Sequence, residues 1–161
     1  MVYNIYMNKT DAEMKEIALN YLKTNELGAL ATMSPEGKPR VRQLYYACTD
    51  DFSLYFLSLA NTRKVADMRT NTEAAFVVTG PNKRRALQIE GVFEEITDTA
   101  TFGPIITSLT AHLYPEGELA APIAHLDNAK PVCFKLKPTW VRYADFDAGY
   151  GSENVFSEIS L

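Results

Sequence analysis

Between Leu27 and Ile96, short extended runs follow one another with little chain between them, and this spacing constrains the fold more than any single motif. The runs are LGALATMS, PRVRQLYYAC, SLYFLS, EAAFVVTG and the alternating stretch from Arg84 to Ile96. Strands spaced so closely favour an antiparallel barrel with peripheral helices. Ser34-Pro35-Glu36-Gly37-Lys38 places Pro and Gly where a type I or II turn uses them, so the first two runs form a hairpin. Thr49-Asp50-Asp51 and Gly80-Pro81-Asn82 close two further runs. In the last run Leu87, Ile89 and Val92 alternate with polar residues, and Gly91 predicts a bend or bulge. A final long strand reads VCFKLKPTWVRYADF, bent at Pro138. The expected class is mainly β (α+β), with about six strands.

Helical signals lie around these runs. Thr10 or Asp11 caps a first helix whose stripe is Met14, Ile17, Ala18, Tyr21 and Leu22, ending at Asn25 to Gly28. Thr62 to Met68 predicts a short helix with Val65, Ala66 and Met68 inward. Thr97-Asp98 caps a helix to about Tyr114 with Pro104 near its start or at a kink. Ala120 to Ala129 predicts another. From Asp147 the tail is polar, with Tyr150, Val155 and Phe156 to anchor it.

A chain of 161 residues is enough for one domain, 1–161, with a sizeable core. The net charge of −4 argues against a bulk grip on nucleic acid. The apolar runs are too short to span a membrane, and the N-terminus lacks a secretory pattern. Cys48 and Cys133 stand far apart in no CxxC pattern, which points to free thiols in a reducing cytoplasm. His112 and His125 have no HxxxH spacing, so no metal is expected, and a haem ligand role is disfavoured. Nothing resembles GxSxG, a Walker loop or GxGxxG, and no catalytic residue is named.

One local cluster stands out from this acidic background. Arg40 and Arg42 share a strand face, and SLYFLS leads at once into Asn61-Thr62-Arg63-Lys64 at a helix start. Free N–H groups there favour a phosphate, and Arg and Lys add charge-assisted hydrogen bonds.

The order helix, LGALATMSPEGKPRVRQLYY, SLYFLS, NTRKVADMRTN, EAAFVV and IEGVFEEI resembles the FMN-binding split barrel of the pyridoxamine 5′-phosphate oxidase-like superfamily. The resemblance covers residues 12 to 96, with a weaker match around Trp140. It implies an antiparallel split β-barrel and a homodimer with FMN in clefts between subunits. By the same resemblance, Arg42 reaches the phosphate or ribityl chain, and the backbone of Gln43, Leu44 and Tyr45 faces the ring. Ser58, Thr62, Arg63 and Lys64 hold the phosphate. Gln88 approaches the ring from the partner, and Trp140 matches an aromatic position near it. Tyr45 and Tyr46 point to opposite faces, one core and one cleft or interface.

Two departures stand against the vitamin-forming reaction. Ala47 occupies the place of the second strand cation, and VRYADFDAGYG replaces the basic C-terminal segment that binds the substrate. The expected function is thus an FMN-dependent oxidoreductase for a small organic substrate, with NAD(P)H or a similar donor, and not a true pyridoxamine phosphate oxidase. The alternatives are a non-catalytic flavin carrier, or a barrel relative using a deazaflavin or haem. The strand faces LQIEGVF and CFKL are expected to be buried against a twofold mate.

Overall fold

The computed structural model describes residues 9–81, 84–98, 100, 101, 103–105, 107, 109, 130–148 and 155–161. Helix α1, Asp11–Lys23, starts at Thr10 with a capping box. The Thr10 hydroxyl accepts from the Glu13 N–H, and Glu13 accepts from the Thr10 N–H. Its stripe buries Ala18 and Leu22.

β1 (Leu27–Met33) and β2 (Pro39–Tyr45) form the expected hairpin. Its turn places Gly37 at φ 76, a left-handed conformation that favours glycine. β3 (Ala47–Cys48) pairs with β4 (Leu54–Leu59), helix α2 spans Arg63–Thr70, and β5 (Glu73–Val78) leads to β6 (Arg85–Ile96). β7 (Pro131–Asp145) and β8 (Phe156–Glu158) complete the set. Every pairing is antiparallel, in the order β2-β1-β5-β6-β7-β4-β3, with β8 added to β7.

The two ends of that order, β2 and β3, are joined through the single residue Tyr46. Such a short link forces the sheet to curl until its edges meet, which makes a barrel-like shell. Tyr46 drives the turn inward. It is buried, its hydroxyl donates to the Leu22 carbonyl at 2.8 Å, and its N–H donates to the Glu26 carbonyl. The extended run PRVRQLYYAC is therefore two strands, because this buried tyrosine takes the chain off β1 and onto β4.

Register defines two faces. Leu30, Phe76, Ile89 and Val141 are paired neighbours across four strands, and all are buried. They join an aromatic cluster in which Phe56 lies 5.3 Å from Phe76 and 6.1 Å from Phe93. Each such side chain contributes about 1.5–3 kcal/mol on leaving water. The bulge predicted at Gly91 is present as a register shift between Glu90 and Gly91, opposite Pro138 and Trp140. A Cβ at Gly91 would run into the Lys137 carbonyl oxygen, so the close strand approach requires glycine.

Three expectations need correction, and one holds in part. Among the described residues eight strands are present rather than about six, because the short β3 and β8 carry too little pattern to be read. In α2 it is Asp67, not Ala66, that turns inward beside Val65 and Met68. The tail is anchored as expected at Val155, which is buried, but not at Phe156, which is exposed. Ile159 is buried too, its N–H donates to the Val141 carbonyl, and Lys15 Nζ donates to the Ser160 carbonyl. The strands LQIEGVF and CFKL bury most of their apolar side chains inside the barrel. Of their large apolar residues only Val92 is exposed; the other exposed ones among the described residues are Met33, Val41, Tyr45, Phe156 and Leu161.

Asp98 accepts from the N–H groups of Ala100 and Thr101, as a cap does. The helix expected to reach Tyr114, the helix 120–129, His112, His125 and Tyr150 lie wholly or largely outside the described residues. Among the described residues no helix is long and apolar enough to cross a membrane. Burial pushes the Cys48 and Cys133 thiols up to about 11, so neither is a ready thiolate nucleophile.

Candidate functional site

The start of α2 is an anion-seeking corner by construction. Thr62 occupies the N-cap in an extended conformation, but its side chain makes no cap hydrogen bond. Its hydroxyl instead donates to the Leu59 carbonyl at 2.9 Å and lies 3.0 Å from the Ser58 hydroxyl. The Val65 and Ala66 N–H groups reach the Thr62 carbonyl, while those of Arg63 and Lys64 have no acceptor among the described residues. The first turn holds no acidic side chain to satisfy them. Lys64 is half-buried. Burial, and then the nearby Arg42 charge, hold its ammonium below the ordinary lysine value. Arg63 is exposed.

Behind this corner lies a residue that the sequence reading did not weigh. Asp67 is fully buried and accepts from Arg40 Nη1 at 2.6 Å and Arg42 Nη2 at 2.9 Å. The Thr32 hydroxyl donates to it at 3.2 Å and accepts from Arg42 Nη2 at 2.7 Å. Arg40 and Arg42 do share a face, but that face looks into the barrel wall under α2. Arg42 Nη1 is out of solvent and has no hydrogen-bond partner among the described residues. Arg40 and Arg42 thus share one buried carboxylate, with the exposed Glu36 only at 3.4 Å from Arg40, while Lys64 adds a third cation near Arg42. The corner keeps unspent donors and positive charge.

Strand alternation places the other expected residues, Leu44 excepted, on the opposite face. Gln43, Ala29, Val77, Gln88, Arg142 and Glu158 are successive paired neighbours across six strands. Tyr45 lies on this outer face too, half-exposed, so Tyr46 is the core tyrosine and Tyr45 the surface one. Leu44 faces inward with Arg42. Gln88 and Trp140 are brought together by Arg142, another residue the sequence reading passed over. Arg142 Nε and Nη2 donate to Gln88 Oε1 at 2.9 and 2.6 Å, and its guanidinium lies 5.1 Å from the Trp140 ring centre. An open hollow of about 320 Å³ lies on this outer face, walled in part by Gln88, Trp140 and Arg142. The ten expected residues thus fall into an inner corner and an outer face, which a single chain does not bring together.

The structure is an antiparallel split barrel with a cationic helix corner beneath one strand pair. The chain belongs to the pyridoxamine 5′-phosphate oxidase family, whose model matches residues 14–145. It is 32% identical over 71 residues to the pyridoxine/pyridoxamine 5′-phosphate oxidase of Rhodopseudomonas palustris. That match covers 44% of this chain and 34% of the relative, so it spans about a third of the relative's length. Among solved structures, an F420 reductase is 27% identical with a TM-score of 0.62, over 76% of this chain and 93% of that one. An FAD-binding protein of Mesorhizobium loti is 25% identical with a TM-score of 0.60, over 78% and 90%.

Proposed function

We propose that the protein binds FMN and acts as an oxidoreductase on a small organic substrate. The observation that carries this reading is the corner at α2, where the unsatisfied Arg42 Nη1 and the free Arg63 and Lys64 N–H groups call for an anion. A terminal phosphate fits that donor set. The Ser58 and Thr62 hydroxyls and Lys64 complete its shell, and Asp67 holds Arg42 in place. When bound, the flavin supplies the redox chemistry, and the protein supplies binding and orientation. Family membership, together with an FAD-binding neighbour and an F420 reductase of like fold, supports a flavin-type ligand.

The test is titration of the protein, stripped of any bound chromophore, with FMN, FAD and riboflavin. FMN is expected to bind tightest, and equal affinity for FMN and riboflavin would refute the phosphate corner. With FMN bound, pyridoxamine phosphate is expected to turn over well below roughly 1 per second. Ala47 supplies no cation at its strand position, and at the end of β7 the chain carries the acid Asp145, paired with Arg85, where a basic substrate clamp would need cations.

A second copy of the chain completes the site in this reading. Gln88 and Trp140 lie on the outer face, away from their own phosphate corner, so they serve the flavin of a partner subunit. Val41 is 72% exposed on that face, beside the half-exposed Tyr45 and the exposed Met33. An apolar patch of this kind marks an interface. Val41→Arg is expected to yield a monomer by sedimentation and to weaken FMN. A variant that stays dimeric with full FMN affinity would rule out this face as the interface.

A further inference from the structure

We propose that Arg142 anchors a subsite for a flat organic carboxylate, held against Trp140 in the outer hollow. As a substrate subsite the assignment rests on the flavin reading; as a binding site it stands on its own geometry. Trp140 precedes Arg142 by two residues on β7, and Phe156 on β8 pairs with Ala144, two residues beyond it. The two rings therefore approach the guanidinium from opposite ends of the strand, at 5.1 and 4.8 Å. Such stacking holds the side chain by its faces and leaves its edges to hydrogen-bond.

Gln88 Oε1 takes one of those edges, Nε with Nη2. A guanidinium has five N–H donors, so the Nη1–Nη2 edge remains, and that edge matches a carboxylate in bidentate geometry. Arg40, Arg42, Arg69, Arg84 and Arg85 each have a carboxylate partner, whereas no ion pair joins Arg142 to any described residue. This holds although Glu158 is its neighbour across β8 and Glu90 pairs with Trp140. Those two acids set a negative surround that a weakly bound anion would not overcome, so the ligand needs apolar contact as well. The hollow provides it. Its floor includes Ala29, Ala31, Ala75 and Val77, and its volume of about 320 Å³ suits a single aromatic ring with a carboxylate.

Trp140 is the chain's one tryptophan, so its fluorescence reports on this site alone. The experiment titrates the full chain, with and without saturating FMN, using benzoate and its neutral counterpart benzamide. Saturable quenching by benzoate is expected in both states, with benzamide weaker by about tenfold, the size of one charged hydrogen bond. Arg142→Gln is expected to remove that preference while benzamide binding holds. Arg142→Lys keeps the charge but loses the fork and should retain part of the preference. Equal binding of the two probes, competition with FMN, or an unchanged preference in both variants would overturn the subsite. FMN binding without a benzoate response overturns the subsite and leaves the flavin reading intact. A benzoate response without FMN binding upholds the subsite and overturns the flavin reading.

Discussion

Asp67→Ala is expected to destabilise the fold by about 3 kcal/mol, toward the lower end of the cost of breaking a buried ion pair. The carboxylate is fully buried and serves two arginines and Thr32. Removing it leaves both guanidinium groups facing each other across an empty corner. Arg40 and Arg42 retain side-chain exposures of 24% and 20%, so partial rehydration keeps the loss from being larger. In urea this corresponds to a midpoint lowered by about 1.5 M at an ordinary slope for a domain of this size. Asp67→Asn keeps the shape and one acceptor and should lose roughly half as much. An Asp67→Ala midpoint within error of the parent protein would show that the arginines find water or Glu36 without cost, and that Asp67 does not organise the corner.

The sequence carried a readable trace of this arrangement. Arg40 and Arg42 alternate on one strand face, and their row partners Thr32 and Leu30 belong to a buried face. Two cations directed into a barrel need an anion, and the only acid in RKVADMRT is Asp67. Reading α2 for apolar periodicity alone favoured Ala66, because a buried charge breaks the pattern that periodicity detects.

The capping box, the Gly37 hairpin and the Gly91 bulge were legible because each depends on local chemistry at fixed spacing. Tyr46 was not, since alternation assigns Tyr45 and Tyr46 to opposite faces without saying which is inside. The choice is made by the Leu22 carbonyl near the end of α1, a partner 24 residues away. β8 was missed for a related reason. Its three residues make sense only against β7, where Ile159 closes the ladder onto Val141. Arg142 was hidden in VRYADF because its meaning comes from Gln88 on the neighbouring strand and Phe156 near the C-terminus.

Replacing both Arg63 and Lys64 with alanine is expected to weaken FMN by about 2–4 kcal/mol and to leave riboflavin nearly unchanged. The two residues contribute differently. Arg63 is exposed and adds screened charge, whereas Lys64 is half-buried beside Arg42 and gives the greater share. The Arg63 and Lys64 N–H groups survive in the variant, so binding falls without vanishing. The lysine also gives the interaction a pH signature. In the free protein, burial and the Arg42 charge favour the neutral amine and lower its pKa from 10.5. A phosphate beside it favours the ammonium and raises that pKa, so binding takes up a proton between the two values. FMN affinity should therefore be steady at neutral pH and weaken as pH climbs through the lowered value toward 10.5. Riboflavin, lacking the phosphate, should show no such slope, and Lys64→Ala should remove it from FMN. Parallel pH profiles for FMN and riboflavin in the parent protein, with equal losses for both in the double variant, would place the phosphate away from α2.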